Sequence, residues 1–298
     1  MQRIASKFFA ICLLAVASTA QALTIFTCEP EWAALSRELA PEAKIFSATH
    51  VYQDPHYIEA RPSLIAKLAK ADIAICSGAA LEAGWLPALQ KRAGNRMVRD
   101  GAEGMLYLSE FIETIEKHEA EFFSTEHVHP EGNPHFHLDP DRVAELAPVI
   151  SKRLQAIDPE SSLDYQKALE QWQTKWKLLT IKWKMKAAPL KGKPVVIQHT
   201  SFSYLTHWLG MNAVADLEPE PGVPPTMAHA QSLVVKTREK QPVAILTNWY
   251  QNDRAAQWLA EKTEVKHLNL PATVDLKGEI STLQHLFDHL LSEIQATQ

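Results

Sequence analysis

No phosphate-cradling G-x-x-x-x-G-K-[ST] loop, no dinucleotide-type G-x-G-x-x-G and no G-x-S-x-G occurs in the 298 residues. That removes the usual sequence support for nucleotide chemistry and for serine hydrolysis. Positive charge is not in excess either: 30 Lys and Arg stand against 35 Asp and Glu, a formal net charge of -5. Nothing in that balance calls for a nucleic-acid partner. Beyond the N-terminus no apolar run approaches the ~20 residues that a membrane-spanning helix needs. Cysteine is scarce, with three in the whole chain. What is present is 46% hydrophobic residues, enough for a sizeable core and, at this length, for two lobes.

The first stretch, MQRIASKFFAICLLAVASTAQA, carries Arg3 and Lys7, then an apolar run from Phe8 to Val16, then the small-residue end Ala20-Gln21-Ala22. It reads as a secretory signal, residues 1–22, cleaved after Ala22. Cys12 lies inside the apolar run without a small-residue lipobox around it, so the expected product is a free periplasmic protein rather than a lipid-anchored one. Removing the signal leaves Cys28 and Cys76, which close the strand-like runs LTIFTC and ADIAIC. The periplasm permits oxidation, and a disulfide is expected if the two strands are neighbours; otherwise these are two buried thiols.

After the signal, short β-branched or apolar runs alternate with helix-period segments: LTIFTC and EWAALSREL, KIFSAT and RPSLIAKLAKA, ADIAICSG and ALEAGWLPALQKR. Strand and helix alternating at this spacing imply parallel strands with crossover helices. The rhythm returns from PVVIQH to the final STLQHLFDHLLSEI. The expectation is an α/β protein of two lobes, each a mostly parallel sheet flanked by helices, joined by one long rigid helix. Its divisions are an N-terminal lobe over 23–157, a linking helix over 158–190 and a C-terminal lobe over 191–298. From Pro159 to about Ala188 the chain has no glycine or internal proline, which allows an uninterrupted helix of ~40–45 Å. Trp172, Trp176, Leu179 and Trp183 recur at helical spacing, the mark of a face packed onto the lobes.

Histidine is the chemically distinctive residue. EHVHPEGNPHFHLDPD, from Glu126 to Asp141, holds His127, His129, His135 and His137. Ligands in open α/β sheets gather beyond the carboxyl ends of the strands. His56 follows KIFSAT, His199 ends PVVIQH, and Asp275 follows VKHLNLPATV in the same sense. His135 precedes Asp139-Pro140, a cap and first turn for a helix. Three neutral imidazoles and one carboxylate make a tetrahedral zinc shell with no open position, which favours carriage over catalysis. Manganese would ask for more oxygen donors, whereas copper and nickel are not excluded by ligand type. Imidazole binds metal unprotonated, so affinity should fall below about pH 6.5.

In this order, QDPHYIEARPS, ADIAICSGAALEAGWLPAL, GNPHFHLDPDRVAELAPVI and VVIQHTSFSYLTHWLG resemble the metal-binding solute-binding proteins of ABC importers, the ZnuA/TroA-like group, with the zinc-specific AztC type nearest. The resemblance covers essentially the whole mature chain. It implies Zn2+ as transported ligand, an ABC permease in the inner membrane as partner, and a monomer that carries out no catalysis. It assigns His56, His135 and His199 as ligands, with Asp275 fitting best as a fourth. His127 and His129, with His137 as a candidate third member, would form an accessory metal loop, its first part exposed among Pro130, Gly132 and Pro134, taking zinc from a periplasmic metallochaperone; the alternative is a solvated loop. His137 stands where the family commonly has an aromatic residue, and Pro55 where one zinc subgroup has glutamate.

Two other readings compete. HFHLDP is one residue short of the H-x-H-x-D-H of metallo-β-lactamase-type zinc hydrolases, because Pro140 occupies the place of its third histidine. A zinc-buffering or adhesin protein on the same scaffold would look identical in sequence.

Overall fold

The computed structural model describes residues 22–117, 131–219 and 223–297. The signal segment, apart from Ala22, and the pair His127 and His129 lie outside the described residues. In the first lobe, strands β1 (Thr24–Thr27), β2 (Lys44–Ser47), β3 (Ile73–Cys76) and β4 (Met105–Tyr107) form a parallel sheet in the order β2-β1-β3-β4. Helices α1 (Pro30–Leu39), α2 (Pro62–Leu68) and α3 (Leu86–Ala93) are the crossovers, and α4 (Pro140–Ile157) closes the lobe. In the second lobe, β5 (Pro194–Ile197), β6 (Asn212–Asp216), β7 (Ile245–Asn248) and β8 (His267–Leu270) repeat the arrangement as β6-β5-β7-β8, again all parallel. Its helices are α6 (Ser203–Trp208), α7 (Met227–Lys240), α8 (Arg254–Thr263) and α9 (Leu283–Gln295). Residues Ile25, Phe26, Ile73, Ala74 and Ile75 are fully buried, as strands covered on both faces must be. No helix among the described residues is long and apolar enough to cross a membrane.

Between the lobes runs α5 (Ser162–Ala187), 26 residues flanked by a 3-10 turn at each end, or about 39 Å at 1.5 Å per residue. Trp172 and Trp176 stack at 4.9 Å, and Trp176 and Trp183 meet edge-on at 5.1 Å. Two of the three indole N–H groups are hydrogen-bonded: Trp176 donates to the Pro140 carbonyl and Trp183 to Asp288. One hydrophobic core runs unbroken from Ile25 and Ile75 through these tryptophans to Leu246 and Phe287. The lobes therefore share an interior instead of hanging on a free tether.

Three local readings change on contact with the structure. The helix expected over Ala80–Arg92 begins only at Leu86, because Pro87 lacks an N–H and cannot sit deeper in a helix. Strands β4 and β6 carry too little apolar pattern to stand out from sequence, and each is held by its neighbour's ladder. The strand expected to run into His199 stops at Ile197. Cys28 and Cys76 are joined in a disulfide, as the side-by-side pairing of β1 and β3 allows.

Candidate metal centre

The carboxyl ends of both sheets face a common cleft, and three histidines meet there. His56 sits in the connection between β2 and α2, a stretch with neither helix nor strand. His135 leads into the 3-10 turn Phe136–Leu138 and then α4, whose N-cap Asp139 accepts from the N–H of Asp141 and of Arg142. His199 lies two residues beyond β5. All three are buried, at 3–4% exposure. Their ring centroids form a nearly equilateral triangle of 5.9 Å (His56–His135), 5.7 Å (His56–His199) and 6.0 Å (His135–His199). One donor atom from each lies within 4.8 Å of the other two. A tetrahedral zinc with bonds of ~2.0–2.1 Å sets its donors ~3.4 Å apart, so a small contraction would bring the three onto one ion.

Each imidazole is aimed by a neighbour. His56 Nδ1 stands 2.7 Å from Asp54 Oδ1, and the same oxygen accepts the His56 backbone N–H. His199 Nδ1 stands 3.1 Å from Glu218 Oε2. With Nδ1–H donated to a carboxylate, Nε2 is the nitrogen a metal would take, and the ring becomes more basic toward it. The backbone of His135 donates to Asn133 Oδ1 at 2.8 Å, while Asn133 Nδ2 reaches the Thr200 carbonyl of the other lobe at 2.8 Å. Tyr204 strengthens the same seam, donating its hydroxyl to the Asn133 carbonyl and accepting from Ile115 N–H.

His199 has φ +59° and ψ 160°, a region nearly reserved for glycine, where another residue carries roughly 1–3 kcal/mol of strain. Its N–H donates to Asp216 Oδ1 at 3.0 Å, which helps hold that conformation. Burial pushes the Asp216 carboxyl up to about 6, against the lowering effect of the N–H groups of Glu218 and His199. Asp54, Asp216 and Glu218 surround the histidines with acidic groups suited to a cation. A cavity of about 410 Å3 opens beside them, walled by Asp54, His56, His199, Glu218, Tyr250 and Arg254.

Other expected site residues lie elsewhere. His137 is turned away from the three-histidine group: its Nε2 donates to the Ala272 carbonyl at 2.8 Å, and its Nδ1 lies 3.0 Å from Glu31. The reason is local, since at three residues per turn positions two apart differ by about 120° around the axis of a 3-10 turn. His137 is therefore not among the three converging donors found in the described residues. Asp275 is likewise not part of the group found among the described residues. Its Oδ1 accepts from Lys277 N–H at 3.2 Å within its own turn. Asp54, Glu218 and Asn133 are the residues that sequence reasoning missed. Asp54 was findable as a carboxylate two positions before a ligand; Glu218 is 19 residues from His199 and gave no signal.

The family model for the periplasmic zinc-uptake complex component A, ZnuA, matches residues 25–297. The high-affinity zinc uptake system protein ZnuA of Brucella abortus is 32% identical over 99 residues, covering 33% of this chain and 30% of that protein. The chain thus spans about a third of the length of that relative in the match. The manganese ABC transporter substrate-binding lipoprotein PsaA of Streptococcus pneumoniae is 23% identical over 226 residues, 74% of this chain and 70% of that one. Among solved structures, a crystal structure of ZnuA superposes with a TM-score of 0.76 at 18% identity, covering 93% of this chain and 100% of that one. A cadmium-bound periplasmic metal-binding protein from Candidatus Liberibacter asiaticus does so with 0.76 at 16% identity, with the same coverage of each chain.

Proposed function

Because the chain belongs to the ZnuA family of periplasmic zinc-uptake components, we propose that it captures a zinc ion between its lobes in the periplasm and delivers it to an ABC-type permease in the inner membrane. The observation that carries this reading is the convergence of His56, His135 and His199, three buried imidazoles from separate elements with donor atoms within 4.8 Å of one another. A nitrogen-rich set favours zinc over manganese, which prefers oxygen. The relatives' names include both metals, so the donor set of this chain is what argues for zinc. With a fourth protein donor the shell would be closed, which suits carriage and not catalysis.

Asp275 is the carboxylate we propose for the fourth position. Asp54 and Glu218 border the cavity, but each already stands against an imidazole Nδ1. Asp275 is engaged by the Lys277 N–H at 3.2 Å, a contact it would give up to serve as a ligand. We place the protein in the AztC-type subgroup on its sequence resemblance, as a monomer with a cleaved signal over residues 1–22. His127 and His129 would serve as the loading loop, receiving zinc from a metallochaperone; replacing both with alanine should slow loading and leave tight equilibrium binding intact.

The test is metal analysis of the purified protein under competition among zinc, manganese and copper, wild type against His56→Ala, His135→Ala, His199→Ala and Asp275→Ala. One tightly held zinc per chain, lost in each histidine variant and weakened in the aspartate variant, is the expected result. Preferential retention of manganese, or full zinc binding without the histidines, would overturn it.

A further inference from the structure

The contacts that join the lobes around the histidines are of two kinds. In the interior they are directional and wholly or partly buried: Asn133 to the Thr200 carbonyl, Tyr204 to Asn133 and Ile115, His137 to the Ala272 carbonyl, and Thr273 Oγ1 to Glu31. At the surface the join is made by two rings. Tyr52 of the first lobe and Trp249 of the second stack at 5.3 Å between centroids, within 9° of parallel, and Tyr52 is 60% exposed.

The position of this pair gives it a role. Tyr52 lies four residues before His56 on the same connection, which has no helix or strand to stiffen it between Ser47 and Pro62. Within its own lobe that connection is tied at its start, where the Ala48 and Thr49 N–H groups donate to the Thr27 and Cys28 carbonyls, and through Trp85, whose indole donates to the Pro55 carbonyl at 2.9 Å. Trp249, by contrast, is fixed: its backbone N–H donates to Leu270 and its indole N–H to Asn269, both at 3.1 Å. The neighbouring Tyr250 walls the cavity beside His56 and His199. A connection without regular structure, bearing one candidate ligand, is therefore stacked against a tied ring on the opposite lobe.

We infer that the Tyr52–Trp249 stack is a clasp that positions His56 and sets how fast the metal leaves. This rests on the reading of the three histidines as a zinc site. Opening the clasp frees the connection that carries His56, while His135 and His199 stay seated on the hydrogen-bonded interior. Metal then departs by losing His56 first, with no rearrangement of the shared core. An aromatic stack at a partly exposed site supports a change of about two- to tenfold in rate.

The experiment is stopped-flow transfer of zinc from the loaded protein to excess chromophoric chelator, beside an equilibrium zinc titration of each variant. Trp249→Ala and Tyr52→Ala should each release zinc about two- to tenfold faster. Trp249→Phe and Tyr52→Phe, which keep a ring to stack, should release at close to the wild-type rate, and the double alanine variant should be no faster than the faster single. A merely structural role would lower the melting temperature of the zinc-free protein and leave release unchanged; that outcome overturns the clasp. Failure of the wild-type protein to bind zinc in the titration would instead remove the underlying reading, and the clasp with it.

Discussion

Glu218 Oε2 and His199 Nδ1 stand 3.1 Å apart, although the two residues follow different strands of the second lobe. The relation repeats in the first lobe between Asp54 and His56 at 2.7 Å. A carboxylate behind a ligand histidine fixes the tautomer and raises the basicity of the nitrogen that faces the metal.

Removing the charge while keeping the shape should thus weaken binding without dismantling the site. Glu218→Gln and Asp54→Asn are each expected to lower zinc affinity about 10–100-fold, measured by competition against a chelator of known affinity. Melting temperatures of the zinc-free variants should stay near wild type, which separates this effect from unfolding. Unchanged affinity in both variants would mean that these carboxylates do not orient the rings.

A second prediction concerns acid groups away from the cleft. Glu29 accepts from the N–H and hydroxyl of Ser77, and Glu82 from Gly78 N–H. Burial raises the Glu29 carboxyl well above its ordinary value, with the Glu82 and Glu31 charges adding to the effect, and burial lifts Glu82 to about 7. The folded state of such a group binds protons more tightly than the unfolded chain. Its stabilisation is complete below the unfolded value of 4.5 and is lost as pH rises through about 7. The zinc-free protein should therefore lose stability from this group as pH rises from 4.5 through about 7. Urea unfolding across that range should show a shallower decline in Glu82→Gln than in wild type. Equal slopes would contradict it.

The alternation of apolar strand and helix-period segments is strong enough to announce two parallel-sheet lobes, and the Trp172–Trp176–Trp183 spacing announces the buried face of α5. His56, His135 and His199 were readable because each sits where strand ends or a helix start gather. What escaped depends on neighbours distant in sequence. Strand β4 has three residues and is supported by β3. Glu218 reaches His199 only because β6 lies beside β5. His137 resembles His135 in composition, yet a 3-10 turn sends the two rings in different directions. Asp275 follows its strand as expected, but the turn at Lys277-Gly278 engages its carboxylate.

The Cys28–Cys76 bridge offers a third test. It joins residues 48 apart in sequence, and a loop of that size corresponds to about 4 kcal/mol in the chain-entropy picture. Replacing both cysteines with serine should lower stability by about 2–4 kcal/mol in chemical denaturation. Zinc affinity should be unaffected at temperatures where the variant remains folded, because the bridge ties β1 to β3 and carries none of the three histidines. A double-serine variant with wild-type stability would show that the sheet alone holds these strands.

Gly132 links backbone conformation to the site. Its φ is +102°, and an added Cβ would collide with the Thr114 side chain and the Ile115 carbonyl. Both the left-handed backbone and the missing side chain are required at this point, two residues after which Pro134 delivers the chain to His135. Gly132→Ala must displace the segment, and the first casualty is Asn133, which orients His135 and reaches Thr200 across the cleft. The backbone conformation alone accounts for roughly 1–3 kcal/mol of lost stability, and the loss of His135 alignment should weaken zinc binding as well. Thermal unfolding with and without zinc separates the two effects: the variant should melt lower in the zinc-free state and also gain less from added zinc than wild type, since stabilisation by a ligand follows its affinity for the folded state. A variant that melts lower yet gains the full zinc increment would show that Asn133 holds the lobes together without positioning His135.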